Sequence, residues 1–212
     1  MIILPQDWEY YIEQLNSPLP EILDEIERAT YWKTTYPQML SGKIQASILY
    51  FLVKMIRPAN ILEVGTFTGY ATVAMADAMP VNSKLVTLDK NPHNLVIAQS
   101  FINKFRRSDD IEIIEGNALD FLEHDARTFD FIFLDADKEN YPLYFDLLKE
   151  KLNPGGLWVT DNVLWNGKVV NPGNDREAQS IALFNDKVKN DHDLEKVVLP
   201  VRDGLMLIRF RD

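Results

Sequence analysis

The chain contains no cysteine, which removes disulfides, thiolate catalysis and cysteine-ligated zinc from the possible explanations of what it does. Histidine is nearly as scarce: His93, His124 and His192 are scattered along the chain. Basic residues are outnumbered, 22 against 32 acidic ones, and the formal net charge of -10 argues against affinity built by neutralising phosphates. A local basic patch remains compatible with that balance, but nucleic acid is not the expected partner. Nowhere do about 18 apolar residues run together as a membrane span needs. The opening Met-Ile-Ile-Leu-Pro also lacks the basic region of a secretion signal. A soluble cytoplasmic protein with no membrane partner is the expectation.

What is present is ordinary globular material. At 212 residues, 46% hydrophobic and 25% charged, the chain suits one α/β domain, 1–212, with a full core. Its centre is Asn60 to Met79, where the apolar run Ile61–Val64 reads as a buried strand and Ala71 onward as a helix. Gly65 and Gly69 lie between them, in a strand-to-helix turn where the main chain can bend sharply and approach a ligand. The dinucleotide fingerprint needs three glycines around a pyrophosphate. Here there are two, and Glu63 ends the strand with a charge that opposes a pyrophosphate and favours an ammonium or sulfonium group. The cradle therefore points to S-adenosylmethionine.

Upstream, Trp8–Leu15 and Ile22–Ala29 are amphipathic and separated by the breaker at 16–20, so both read as helices outside the sheet, part of a helical extension or lid over 1–40. The aromatic residues Trp8, Tyr10, Tyr11, Tyr31, Trp32 and Tyr36 are expected to be packed; a dimer interface or substrate lid is the alternative, and a homodimer the expected assembly. Residues 37–42 read as a loop and Ile44–Ile56 as a helix ended by Arg57-Pro58.

Downstream, Lys84–Asp89 reads as the second strand. Asp89 follows Gly65 at close to the roughly 20-residue interval at which an acidic residue meets ribose hydroxyls in doubly wound folds. Asn91-Pro92 can cap and open the next helix, Leu95–Phe105, without it. Strands follow at Ile111–Glu115, Phe131–Asp135 and Leu157–Thr160, with a loop at Gly116-Asn117-Ala118 that can lie against an adenine ring. A helix Leu143–Leu152 closes on the turn 153–156. Ligands of such sheets sit beyond the carboxyl ends of the strands, so Asp135, Asp161 and Asn162 are expected to converge. Two carboxylates and an amide oxygen are hard donors suited to Mg²⁺, Mn²⁺ or Ca²⁺. A helix over Glu177–Val188 and a hairpin of Leu194–Leu199 with Leu205–Phe210 complete the pattern.

From about residue 37 to 210 the chain resembles the cation-dependent class I S-adenosylmethionine O-methyltransferases that include the catechol and caffeoyl-CoA enzymes. The likeness is carried by Leu-Glu-Val-Gly-Thr-Phe-Thr-Gly-Tyr at 62–70, Asp-Ala-Asp-Lys-Glu-Asn-Tyr at 135–141, Asp-Asn-Val-Leu-Trp-Asn-Gly at 161–167 and Leu-Pro-Val-Arg-Asp-Gly at 199–204. It implies a doubly wound, Rossmann-like α/β fold: a seven-stranded, mostly parallel sheet with an antiparallel C-terminal strand and helices on both faces. It also implies Asp135, Asp161 and Asn162 as metal ligands and Lys138 as general base beside Asp135. Met39, Ser41, Glu63, Gly65, Tyr70, Asp89, Ala118 and Asp135 become cofactor contacts. Ala46-Ser47 and Ala71 depart from the family's usual Gly-Gln and serine.

The implied activity is methyl transfer from S-adenosylmethionine to a hydroxyl of a catechol-like or caffeoyl-type aromatic. A phenol ionises near pKa 10, so a divalent ion is needed to make the phenolate available at neutral pH and to hold it in line with the methyl group. Lys138 either takes the phenol proton or stays charged and steadies the phenolate. Trp165 and Tyr141 are candidate walls for the aromatic ring, and the loop 166–176 and the first 40 residues are the expected determinants of substrate choice. The alternatives are a tRNA hydroxyuridine acceptor on the same fold and a non-catalytic cofactor binder.

Overall fold

The computed structural model describes residues 5–211; the first four residues of the expected N-terminal extension lie outside the described residues, as does Asp212. The strands are β1 (Asn60–Val64), β2 (Lys84–Asp89), β3 (Ile111–Glu115), β4 (Phe129–Leu134), β5 (Leu152–Thr160), β6 (Leu194–Leu199) and β7 (Leu205–Phe210). They form a seven-stranded sheet in the order β3-β2-β1-β4-β5-β7-β6, with β7 antiparallel to β5 and β6. The chain divides into two compact units at Asn117/Ala118.

The first unit holds β1 to β3 with α1 (Gln6–Leu15), α2 (Ile22–Lys33), α3 (Gly42–Ile56), α4 (Tyr70–Ala78) and α5 (Pro92–Ile102). β1 pairs parallel to β2 from Asn60↔Lys84 to Val64↔Leu88, and β2 pairs parallel to β3. The interior residues of β1 and β2 are buried, as strands covered on both sides should be. α4 is short but nearly all of it is buried, because Ala71, Ala74, Ala76 and Ala78 let α3 and β2 approach closely. The stretch Pro37–Ile56 is long and apolar enough by composition to cross a membrane, a run that the sequence reading passes over. It divides into a 3₁₀ turn at Pro37–Met39 and α3, whose Gln45, Ala46, Leu49 and Val53 are buried while Phe51 and Met55 face outward.

The second unit holds β4 to β7 with α6 (Ala118–His124), α7 (Tyr141–Lys151) and α8 (Arg176–Asn190). Its core is aromatic: Phe145, Trp158 and Phe184 lie within 6.1 Å of one another, centre to centre, and Tyr141 stacks edge-on against Phe184 at 5.5 Å. Asp175 caps α8 by accepting from the amide of Ala178.

Three expectations are corrected. Trp8, Tyr10, Tyr11, Tyr31, Trp32 and Tyr36 are not packed: all are at least 60% exposed, since α2 buries only the stripe Leu23, Ile26 and Thr30 and no described residue of α1 is fully buried. Of the expected loop Gly116-Asn117-Ala118, Ala118 instead opens the helix α6, for which the sequence carried no expectation. The turn at 153–156 lies within β5 as an irregularity: pairing with β4 jumps from Phe129↔Leu152 to Phe131↔Leu157. Several bounds also shift, with α5 running Pro92–Ile102 and α7 beginning at Tyr141.

Candidate active site

In the first unit the strand register sets the candidate cofactor residues. Val64 pairs with Leu88, so the turn after β1 and Asp89 at the end of β2 lie side by side; the Gly65 and Thr66 amides both donate to the Leu88 carbonyl at 2.9 and 3.1 Å. Asp89 accepts the Phe67 amide on Oδ2 and the Asn91 amide on Oδ1, each at 2.8 Å. Phe67 is held at φ 48°, a left-handed backbone uncommon for a bulky residue, and the Asp89 bond fixes it there. Burial pushes the Asp89 carboxyl above its ordinary value despite the amide donors Asn91, Phe67 and Lys90. Asn91 caps α5 through the His93 and Asn94 amides, so the cap needs nothing from Asp89.

Glu63 is fully buried, deeper than a charge lining an open cradle. Its Oε2 accepts from the Thr87 hydroxyl at 2.6 Å and from the Thr72 hydroxyl, and Thr66 in turn meets Thr87 at 2.6 Å. This threonine relay was invisible in the sequence because its partners lie on three separate elements. Gly69 adopts φ 85°, and a Cβ there would sit 3.3 Å from the Ala98 Cβ, so this glycine serves α4–α5 packing as well as the turn. The turn is also tied outward: the Thr68 and Thr30 hydroxyls share a hydrogen bond of 2.7 Å from the cradle to α2.

The remaining cofactor candidates divide. Ser41 is buried immediately before α3, and Met39, at the end of the 3₁₀ turn, is 58% exposed. Tyr70 is not brought to the Glu63 and Asp89 set by its side chain. Its ring lines a different cavity of about 180 Å³ with Lys43, Ser47, Pro18 and Leu23, where burial raises the phenol's pKa.

In the second unit the pairing of Leu134 with Thr160 sets Asp135 beside Asp161; the Asp161 amide donates to the Leu134 carbonyl at 3.0 Å. Lys138 follows on a 3₁₀ turn, 8% exposed, and its ammonium donates to Asp135 Oδ1 at 2.7 Å and to the Tyr141 hydroxyl at 2.8 Å. Tyr141 donates onward to the Asp161 carbonyl at 3.1 Å. Lys138 thus pairs with Asp135 and is largely buried, unlike a lysine solvated on the surface. Burial works against the charged amine, but Asp135, the Tyr141 oxygen and Asp161 outweigh it, so the Lys138 pKa is raised. Burial likewise raises that of Tyr141. Sequence reasoning placed Tyr141 as a possible ring wall; it is fully buried and part of this hydrogen-bonded cluster instead.

Asn162 sits at φ 60°, with its amide donating to Asp161 Oδ1 at 2.7 Å. Among the described residues, no three His, Cys, Asp or Glu side chains are grouped to hold a metal ion. The oxygen set is two carboxylates with one amide, which fits a hard divalent ion that keeps several waters. Trp165 is half-buried in a kinked 3₁₀ segment, Trp165–Val170.

The chain as a whole has counterparts among known proteins. Residues 13–211 match the family model described as O-methyltransferase. The caffeoyl-CoA O-methyltransferase of Petroselinum crispum is 34% identical over 216 residues, covering 95% of this chain and 89% of the relative. The SAH-bound crystal structure of the Podospora anserina methyltransferase PaMTH1 is 27% identical, covers 100% of both chains and superposes with a TM-score of 0.90. An O-methyltransferase from Bacillus cereus in complex with SAH is 28% identical over 97% of each chain, with a TM-score of 0.89. The chain therefore belongs to the O-methyltransferase family, and it is an S-adenosylmethionine-dependent O-methyltransferase.

Proposed function

We propose that the protein methylates a hydroxyl of a catechol-like or caffeoyl-type aromatic, with a divalent cation, Mg²⁺ by preference, held by Asp135, Asp161 and Asn162. The observation that carries this reading is the buried cluster of Asp135, Lys138, Tyr141 and Asp161. It places an ammonium and two carboxylates together at the ends of paired strands, a costly arrangement for a fold to keep without use. When bound, the cation supplies stabilisation of the phenolate oxygen at neutral pH.

The chain's own residues do the rest. Asp89 orients the cofactor through its ribose, and Glu63, pinned beneath the cradle by Thr72 and Thr87, is the acceptor offered to the cofactor from below. Lys138 has a raised pKa and two acceptors already in place. That supports an ammonium that donates to the phenolate and steadies its charge, rather than a free amine that removes the proton. Trp165 offers the ring a flat apolar wall, and the loop 166–176 sets which substituents are tolerated.

The test is methyl transfer to catechol and caffeate with and without chelator. Activity abolished by chelator and restored by Mg²⁺ or Mn²⁺ is expected; full activity in chelator rejects the cation, and no product from any hydroxylated aromatic rejects the acceptor class. The six exposed aromatic residues of the N-terminal helices and their flank support a homodimer that covers them. Light scattering that finds only monomer at micromolar concentration rejects that assembly.

A further inference from the structure

The turn between β6 and β7 carries the motif Leu-Pro-Val-Arg-Asp-Gly, which none of the chemistry above uses. Its Asp203 is 3% exposed, an unusual place for a carboxylate in a hairpin turn. The reason lies in the segment after β5. The Asn166 amide donates to Asp203 Oδ1 at 2.6 Å, the Leu164 amide to the Asp203 carbonyl at 2.9 Å, and the Val163 amide to the Gly204 carbonyl at 3.2 Å. Three bonds from two consecutive residues thus grip residues 163–166.

The gripped segment is one that would not hold its shape unaided. Asn162, Trp165, Asn166 and Gly167 have φ of 60°, 44°, 54° and 79°. Asparagine and glycine tolerate the left-handed region, but tryptophan does not favour it. Gly204 completes the grip by letting the segment lie against it. A Cβ at that position would meet the Leu164 Cγ at 2.6 Å and the Val163 Cγ2 at 3.1 Å, and its own φ of 89° favours glycine independently.

We propose that Asp203 and Gly204 are positioning residues for the methyl acceptor: they hold residues 163–167 in the one backbone conformation that presents Trp165 to the aromatic ring. The inference rests on the reading of Trp165 as acceptor wall. Asp203 itself touches neither substrate nor cofactor. A wall contacts the ring in the ground state and the transition state alike, so loosening it raises KM and leaves kcat nearly unchanged.

The experiment compares wild type, Asp203→Ala, Asp203→Asn and Gly204→Ala in steady-state kinetics with catechol and saturating metal. It adds SAH binding by calorimetry and amide exchange of the peptides spanning 163–168. Asp203→Ala is expected to raise the catechol KM about tenfold, the size of one hydrogen bond to a charged group. Its kcat is expected to stay within about threefold and SAH affinity within about twofold, and exchange in the 163–168 peptides to quicken. Asp203→Asn keeps an acceptor oxygen for the Asn166 amide and is expected to recover most of the KM. An unchanged KM in Asp203→Ala overturns the proposal, as does a KM in Asp203→Asn as high as in the alanine variant. If Asp203→Ala does not fold, Gly204→Ala carries the same readout, because it displaces Leu164 without stripping a buried carboxylate. A wild type that methylates no hydroxylated aromatic shows that the acceptor reading itself has failed, and that result is visible before any variant is compared.

Discussion

Replacing Lys138 by methionine removes the ammonium at nearly constant volume, so the consequence is electrostatic rather than steric. Lys138 Nζ lies 2.7 Å from Asp135 Oδ1, with the two side chains 10% and 20% exposed. At an effective dielectric of about 20 the pair attracts by roughly 6 kcal/mol before desolvation is charged against it. Deleting one partner of a buried pair usually costs about 3–5 kcal/mol. Asp135 retains some access to water, so the lower end applies: about 3 kcal/mol, or roughly 6–12 °C in Tm for a chain of this size. The loss should be largest in chelator, where Asp135 is left without a cationic partner, and should shrink in excess Mg²⁺, because a ligand that binds only the folded state adds stability by mass action. Thermal and urea unfolding of wild type and Lys138→Met, each with chelator and with Mg²⁺, measures both differences. A variant within about 0.5 kcal/mol of wild type in chelator would show that Lys138 does not offset a buried carboxylate, and an equal loss in both conditions would show that no cation reaches Asp135. Lys138→Arg separates the catalytic roles, since a guanidinium cannot act as a base: retained turnover supports the charged donor, and abolished turnover in a folded protein supports the base.

Asp161→Asn removes one charge from the proposed cation set and should lower Mn²⁺ affinity and turnover at least about tenfold while leaving SAH binding within twofold; unchanged turnover removes Asp161 from the site. Asp89 carries a folded-state pKa raised by burial, so its ionised form weighs against the fold at neutral pH, and that cost is relieved as pH falls through the raised pKa toward the unfolded value. Asp89→Asn should therefore gain most in urea midpoint relative to wild type near pH 7 and progressively less toward pH 4, and a difference that grows on acidification reverses the sign. Gly69→Ala must adopt φ 85° with its Cβ 3.3 Å from Ala98 Cβ, and should cost about 1–3 kcal/mol in urea unfolding; a neutral substitution would mean that α5 yields.

The sheet was legible in the sequence where short stretches rich in β-branched and other apolar residues are bounded by turn residues: β2, β3, β6 and β7 have the expected bounds. The convergence of Asp135 with Asp161 was legible too, because it follows from one register rule, that neighbouring parallel strands end together. α6 was not. Its seven residues follow Gly116-Asn117, and a helix that short shows fewer than two periods of any hydrophobic pattern. The exposed aromatic residues escaped for the opposite reason, since a pattern of large apolar residues at helical spacing does not say whether anything lies against them. The threonines beneath Glu63 and the Asp203 bond to Asn166 depend on contacts across 9 to 37 residues, and the identity of such a partner is set by the fold, not by any local signal.

The hydrogen bond between Thr30 and Thr68 has a practical consequence for anyone rebuilding this protein. The first two helices look like the natural module to exchange when a different substrate is wanted, since they precede every motif and present a face rich in exposed rings. Yet α2 is fastened to the cradle loop by that one hydroxyl pair, and the Lys33 carbonyl meets the His93 ring at 3.1 Å. A graft that replaces the segment before Tyr36 without supplying a hydroxyl at position 30 would disturb the loop that Asp89 holds. A chimera intended to change the acceptor would then register first as a loss of cofactor affinity. The useful seam for such exchanges lies after Thr30, or the donor sequence has to be chosen for the residue that it brings to that position.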